Sequence, residues 1–335
     1  MIPIANKPII FYAIEDLKNA GITDIGIIVG YTEERIKSIK ETVGDGSNFG
    51  VKITYIEQDA PRGIAHAIGI AENFIGNDSF VVYLGDNLLK GGIKTYVDDF
   101  KKSDYDVGIL LAKHKNPERF GVAILDKDKL IGLVEKPKEP PSNLVISGVY
   151  LFRQSVFGVI KKLKPSWRNE LEITETVDKM LRSKKYKVMT RTVNGWWKDT
   201  GKPEDILEAN HLVLDELKSF NKGKIEDDVT IRGKVSIDEG TVIKKGCFIR
   251  GPTIIGKNCD IGPNVYIGPY TSIGNNTIIK NGEIESSVIV GDTTIECNKR
   301  ITDSLIGKNV TIVSADENIP KAYKLVLGEN SFVSI

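Results

Sequence analysis

At 335 residues the chain is too long for one ordinary core, and typical domain sizes divide it into about two. Apolar residues at 41% and charged residues at 27% exclude wholesale disorder, collagen and coiled coil. With 46 Lys+Arg against 45 Asp+Glu, the net charge of +1 gives no global field for a nucleic acid polymer or an anionic membrane. Three cysteines cannot form a disulfide framework, and no apolar run approaches the roughly 20 residues of a membrane span. The opening MIPIANKPII lacks the basic-then-apolar pattern of a signal peptide, so a reducing, cytoplasmic location is expected.

Short apolar strands alternate with amphipathic helices over the first 217 residues. A helix is expected over 9–19, stopped by Gly21, then a buried strand over 24–29 and a helix capped by Thr32. A strand over 51–55, a helix over 63–74 and a strand over 80–84 follow. This βαβ repetition predicts a mostly parallel sheet with helices on both faces, and ligands at the carboxyl ends of its strands. Gln58 and Asp86 both fall just past strand ends. A strand over 130–134 and a helix over 204–217 complete this part, and 218–223 reads as a polar linker.

From about residue 225 a six-residue period takes over. Isoleucine occupies 225, 231, 237, 243, 249, 255, 261, 267, 273 and 279, ten consecutive sixth positions. Neither a helix nor a long strand has that period, whereas a parallel β-helix does, with three hexads closing a triangular coil and each Ile on the axis. Cys247 and Cys259 fall on the small inward position and read as core thiols. The register is expected to break at Glu285 and to resume in part near residues 304–310.

Several residues could carry chemistry. Asp86 follows a strand and a Gly, where a carboxylate can hold Mg²⁺ or merely cap a loop. Asp199, in Trp196-Trp197-Lys198-Asp199-Thr200-Gly201, could be a second metal ligand or part of a capping turn before Pro203; Lys198 could meet a phosphate. Lys136, in Glu135-Lys136-Pro137, offers a point charge for phosphate, and Glu135 an acceptor for hydroxyls; the alternative is an exposed charged turn. Gly63, in Pro61-Arg62-Gly63, lets a ligand approach the backbone where a helix begins. His66 reads as helix packing, and Glu170-Leu171-Glu172-Ile173-Thr174 as an acidic turn with Thr174 as cap.

In chain order the sequence carries Ala5-Asn6-Lys7-Pro8, Gln58, Pro61-Arg62-Gly63-Ile64-Ala65-His66-Ala67, Tyr83-Leu84-Gly85-Asp86-Asn87, Phe120-Gly121-Val122, Glu135-Lys136-Pro137, Gly148-Val149-Tyr150, Glu170-Leu171-Glu172-Ile173-Thr174 and Trp197-Lys198-Asp199-Thr200-Gly201. This ordered set resembles the sugar-1-phosphate nucleotidyltransferase family; with the hexads added it is similar to the long, archaeal-type glucose-1-phosphate thymidylyltransferases. The resemblance implies attack of a sugar 1-phosphate oxygen on the α-phosphorus of a nucleoside triphosphate, with pyrophosphate leaving. It implies Mg²⁺ on Asp86 and Asp199, nucleotide contacts from Gln58, Pro61, Gly63 and Asp86, and sugar-phosphate contacts from Asn87, Gly121, Glu135, Lys136, Val149 and Glu170. Asp86, Lys136 and Asp199 would be the catalytic set, dTTP and glucose 1-phosphate the favoured substrates, with UTP as the alternative nucleotide.

The implied architecture is α/β: a Rossmann-like nucleotidyltransferase domain over 1–217, the linker, a left-handed parallel β-helix over 224–313 and a cap over 314–335, assembled as a homo-oligomer. Members of the family place a strand and a Gly-rich loop of the type G-x-G-T-R-L-R-P before the Lys-Pro pair, which here is already Lys7-Pro8. The expectation is therefore an N-terminally incomplete domain, through a late start site or truncation, with an open strand position beside 25–29 and 80–84 and impaired catalysis. A disabled regulatory or scaffold relative is the competing reading. An acyltransferase is the other rival, but it needs a base, and His66, His114 and His211 all precede the repeat.

Overall fold

In the computed structural model of the chain, residues 2–30, 32–127 and 129–314 are described. They fall into two compact units, one holding 7–205 and the other 3–6 with 206 onward. The expected cap over 314–335 lies, apart from Ser314, outside the described residues. No described helix is long and apolar enough to cross a membrane.

Two short strands, β1 (Pro3–Ile4) and β2 (Lys7–Pro8), precede helix α1 (Ile9–Asn19). Ala13, Ile14 and Leu17 form the buried stripe of α1, and Gly21 turns the chain at φ +78°. Strand β3 (Asp24–Val29), helix α2 (Glu33–Val43) and strand β4 (Lys52–Glu57) make a βαβ unit whose strands pair in parallel along their full length. Thr32 stands at the N-cap of α2, but its side chain makes no capping hydrogen bond. The helix expected over 63–74 is two, α3 (Ile64–Ile70) and α4 (Glu72–Ile75), meeting at Ala71.

Strands β5 (Phe80–Tyr83) and β6 (Asn87–Leu89) are followed by α5 (Lys94–Lys101), β7 (Val107–Lys113), β8 (Gly121–Asp126), β9 (Lys129–Glu135) and β10 (Leu144–Phe152). Then come α6 (Ser155–Ile160), α7 (Ile173–Arg182), β11 (Val188–Thr192), β12 (Trp197–Asp199) and α8 (Pro203–Asp215). The Rossmann-like frame carries a mixed sheet in the order β11-β7-β10-β8-β9, with β5 on β10. β3–β4 and β7–β11 are parallel, whereas β10 is antiparallel to β5, β7 and β8. The antiparallel pairings are where the expected mostly parallel sheet gives way. Among the described residues no α-helix lies between β7 and β10, and parallel neighbours need a crossover of that kind. Apolar side chains cover both faces, with Ile14, Leu110 and Leu151 on one and Ile109, Phe152 and Val177 on the other.

Among the described residues a gap separates β3 from β5, and β3–β4 forms a two-stranded sheet of its own. Among the described residues β3 pairs only with β4 and β5 only with β10. A cavity of about 580 Å³ lies between them, lined by Ile14, Ile25, Ile27, Phe74, Val81 and Tyr83 among others.

In the other unit, three parallel sheets of six, six and five strands stack as a solenoid. Ile237, Ile255 and Ile273 lie in register, as do Ile243, Ile261 and Ile279, so each coil takes eighteen residues (255 − 237). The inward isoleucines are almost fully buried, and Cys247 and Cys259 lie among them. Ile231, on the first coil, remains 37% exposed. The expected break at Glu285 is a shortening instead. Ile284 still pairs with Ile267 and Ile289 with Ile273, because corners lose one residue each and the coil closes in seventeen or sixteen (284 − 267; 289 − 273). The expected linker over 218–223 also holds a strand, β13 (Phe220–Asn221), which pairs with Ser236–Ile237 at the start of one sheet.

His211, in the part of α8 belonging to this unit, stands against the solenoid with Nε2 3.0 Å from Ser286 Oγ. Ser286 donates its own proton to Asp303 at 2.7 Å, so His211 is not placed to remove it.

The free sheet edges predict uneven amide exchange. Along 25–29, amides that do not donate to β4 should exchange at least about tenfold faster than those that do, since an unpaired edge opens at little cost. Mass-resolved hydrogen exchange checks this; uniform protection along both edges of β3 would contradict the gap.

Candidate active site

Two turns bring together carboxylates 113 positions apart (199 − 86). After β5 the chain turns through Gly85-Asp86 directly into β6, and β12 runs antiparallel to β6 with Asp199 opposite Asn87. Thr200 closes the arrangement: its N–H and its hydroxyl both donate to the Asp86 carbonyl, at 3.0 and 2.9 Å. Burial raises the Asp199 carboxyl above its usual range, the Gly201 N–H 3.0 Å from Oδ1 lowers it, and the charge of Asp86 raises it again.

Asn87 locks this corner. Its side chain is 1% exposed, accepts from Trp197 Nε1 at 2.7 Å and donates to Asp86 Oδ1 at 2.7 Å. Both ends of the amide are engaged inside the protein, so Asn87 orients Asp86 rather than presenting a free polar tip to a sugar. Gly148, at φ +74°, packs directly on it; a Cβ there would come within 2.9 to 3.1 Å of the Asn87 amide. Val149 is 1% exposed and its side chain belongs to the core, which leaves only its backbone for a ligand.

The carboxylate pair fits a hard divalent cation. Asp86 Oδ1 and Asp199 Oδ1 each accept one protein hydrogen bond, and the second oxygen of each remains. No cluster of three or more His, Cys, Asp or Glu suited to a metal occurs among the described residues. Two carboxylates without a fuller protein cage match a cation that keeps waters and takes phosphate oxygens.

A second cluster surrounds the 135–136 turn. Thr174 Oγ1 donates to Glu135 Oε2 at 2.5 Å, in place of the capping role expected of it; Glu172 is the N-cap of α7. Burial raises the Glu135 carboxyl, and the Thr174 hydroxyl partly offsets it. Gly121 lies against both, its would-be Cβ 2.5 Å from Thr174 Oγ1 and 3.3 Å from Glu135 Oε2. Lys136 is exposed and left-handed at φ +42°, held by its N–H donating to the Phe120 carbonyl at 3.0 Å. A non-glycine residue in that region marks a position the surroundings enforce.

Gly63, at φ +95°, fits under the 170–171 segment, where a Cβ would meet Leu171 O at 2.5 Å and Glu170 Cβ at 3.0 Å. Arg62 O accepts from Leu171 N, and Ala65 N donates to Leu171 O. Glu170 pairs with Arg168, whose other contact is Glu172 at 3.2 Å. Gln58, at the end of β4, donates through Nε2 to His66 Nδ1 at 3.0 Å, so His66 serves Gln58 rather than packing alone. Pro61 is exposed on the same turn.

The two clusters meet at Phe120. Its ring lies edge-on to Trp197 at 5.3 Å and to His114 at 4.8 Å, while its backbone holds Lys136. Sequence reasoning missed Arg119 and Asp205. Arg119 donates to Asp205 Oδ2 at 2.8 Å, and Lys198 Nζ lies 3.0 Å from Asp205 Oδ1. Lys198 is 6% exposed, so it is a buried ion-pair partner and not the free phosphate ligand expected. The only signal was the position of Arg119 directly before Phe120-Gly121.

The nucleotidyl transferase family model matches residues 1–216, and a model described as the GMPPB C-terminal domain matches 249–331. A low-salt glycan biosynthesis nucleotidyltransferase, Agl11, of Haloferax volcanii is 47% identical over 99% of this chain and 92% of its own length. The chain belongs to the sugar-1-phosphate nucleotidyltransferases. A glucose-1-phosphate thymidylyltransferase of Streptomyces griseus is 39% identical over 100% of this chain and 93% of its own. A bifunctional protein GlmU of Methanocaldococcus jannaschii is 38% identical over 92% of this chain and 72% of its own. The crystal structure of a putative glucose-1-phosphate thymidylyltransferase from Bacillus anthracis matches with TM-score 0.60 at 40% identity, covering 67% of this chain and 87% of that one.

The contact between Gly148 and Asn87 yields a prediction. Gly148→Ala should destabilise the protein by about 1–3 kcal/mol through backbone strain, and should lower turnover more than that loss explains, because Asn87 moves with Asp86. Chemical denaturation and assays well below the melting temperature check it. A variant of normal stability and normal turnover would contradict the packing described.

Proposed function

We propose that the chain transfers a thymidylyl group from dTTP to glucose 1-phosphate. The sugar phosphate oxygen attacks the α-phosphorus, the bond from that phosphorus to the bridging oxygen breaks, and pyrophosphate leaves. The observation that carries this reading is the β6–β12 pairing, which sets Asp86 beside Asp199 while Phe120 ties that corner to Glu135 and Lys136.

Asp86 and Asp199 would hold Mg²⁺, which when bound neutralises charge on the phosphate oxygens. Lys136, fixed in an enforced backbone conformation and exposed, would hold the phosphate of the sugar. Glu135 would accept from a sugar hydroxyl, with the Gly121 and Val149 backbones and Glu170 beside it, and Asn87 acting through Asp86. Gln58, Pro61 and Gly63 would face the nucleotide. Such transfer needs alignment and positive charge more than covalent help. The relatives named as glucose-1-phosphate thymidylyltransferases at 39–40% identity support dTTP and glucose 1-phosphate. UTP remains the competing nucleotide, since the bases thymine and uracil differ by one methyl group.

The test is pyrophosphate release by the protein, with dTTP and UTP compared in the presence of glucose 1-phosphate. Turnover should favour dTTP, and Asp86→Asn and Asp199→Asn should each reduce it by at least about a hundredfold. Lys136→Ala should raise the KM for glucose 1-phosphate more than that for dTTP, by a contact of about 1.5–3 kcal/mol. Near-normal rates in both Asp variants would refute the site, and preference for UTP would refute the substrate.

A further inference from the structure

Asp199 has a rival for its charge close by. Arg119 Nη2 lies 4.0 Å from Asp199 Oδ1, a little beyond direct contact. The guanidinium comes from the turn Pro117–Arg119 and lies over the Phe120 ring, its Cζ 5.4 Å from the ring centre. Its short contact is to Asp205, at 2.8 Å. Asp205 sits in the first turn of α8 and gives one oxygen to each of two cations, Oδ2 to Arg119 and Oδ1 to Lys198. The side chains of Lys198 and Asp205 are 7% and 10% exposed, and that of Arg119 25%. This three-member ion network reaches the carboxylate pair through Arg119.

A guanidinium and a divalent cation compete for the same carboxylate. Were the charge of Asp205 removed, Asp199 would be the nearest carboxylate recorded for Arg119, and a shift of about 1 Å would convert 4.0 Å into a direct ion pair at ordinary distance. We infer that Asp205 is a positioning residue that withholds Arg119 from Asp199, and so keeps Asp199 available to a metal ion. Lys198 completes the device: it takes the second oxygen of Asp205, which fixes the carboxylate in the orientation that holds Arg119. The inference rests on the proposed role of Asp199 as a metal ligand.

The readout is Mn²⁺ binding to the full chain without nucleotide, followed by the electron paramagnetic resonance of free Mn²⁺. Asp205→Asn should weaken binding about tenfold, the scale of one competing charge contact. Arg119→Ala should bind Mn²⁺ at least as tightly as the parent, because it removes a positive charge 4.0 Å from Asp199 without freeing any competitor for it. The double variant, R119A with D205N, should recover most of the loss. A purely structural role for Asp205 predicts no such recovery. Weakening by Arg119→Ala as large as by Asp205→Asn, or a double variant as weak as Asp205→Asn, would overturn the inference. Should Asp205→Asn not fold, Asp205→Ser takes its place in the same comparison: weaker Mn²⁺ binding that R119A restores supports the inference, and unweakened or unrestored binding overturns it. Asp199→Asn is the control: unchanged Mn²⁺ binding there would refute the ligand assignment itself and not the ion network.

Discussion

The site depends on one short antiparallel ladder. Only three residue pairs join β6 to β12, yet this pairing sets Asp199 opposite Asn87 and next to Asp86. Burial above all, and the like charge of Asp86 after it, raise the Asp199 carboxyl, so the placement costs energy. The backbone and hydroxyl of Thr200 on the Asp86 carbonyl, the Trp197 indole on Asn87 and the Gly201 amide on Asp199 hold the corner against that cost. A divalent cation would then find its two ligands already oriented, at little cost in ordering.

The same logic of enforced backbone extends outward. Gly148 is glycine because a side chain would strike Asn87, and Gly63 because one would strike Leu171. Lys136 has no such excuse and is nonetheless left-handed, held by the Phe120 carbonyl and followed by Pro137. Phe120 thereby couples the Glu135–Lys136 turn to the carboxylate corner through a ring on one side and a carbonyl on the other. The buried charges around Asp205 follow the rule that buried ions occur paired, with Arg119 and Lys198 each taking one of its oxygens.

The solenoid was legible because a period of six, repeated ten times by one residue type, has a single structural solution. It became illegible past Ile279 for an equally physical reason: dropping one corner residue shifts the phase of the pattern without disturbing the inward side chain, as Ile284 and Ile289 show. In the first unit, local order was readable from apolar runs, while the antiparallel course of β10 was not, because it depends on pairings between distant strands. Asp86, Glu135 and Lys136 stood out through their places past strand ends, and Asp199 as the acid of an aromatic-to-acid turn before a helix. Arg119, Asp205 and the Trp197–Asn87 bond did not, since each exists only once β6 and β12 meet. Thr174 and Lys198 were misjudged for the same reason: a plausible local role was displaced by a distant partner, Glu135 for one and Asp205 for the other.

The central claim is that Asp86 and Asp199 act on one shared cation. A double-mutant cycle on Mn²⁺ affinity tests it most directly, with Asp86→Asn, Asp199→Asn and the pair compared by calorimetry. A shared ion predicts strong non-additivity, the double variant binding hardly more weakly than either single one. Losses that simply add, or either single variant binding Mn²⁺ as the parent does, would contradict the account.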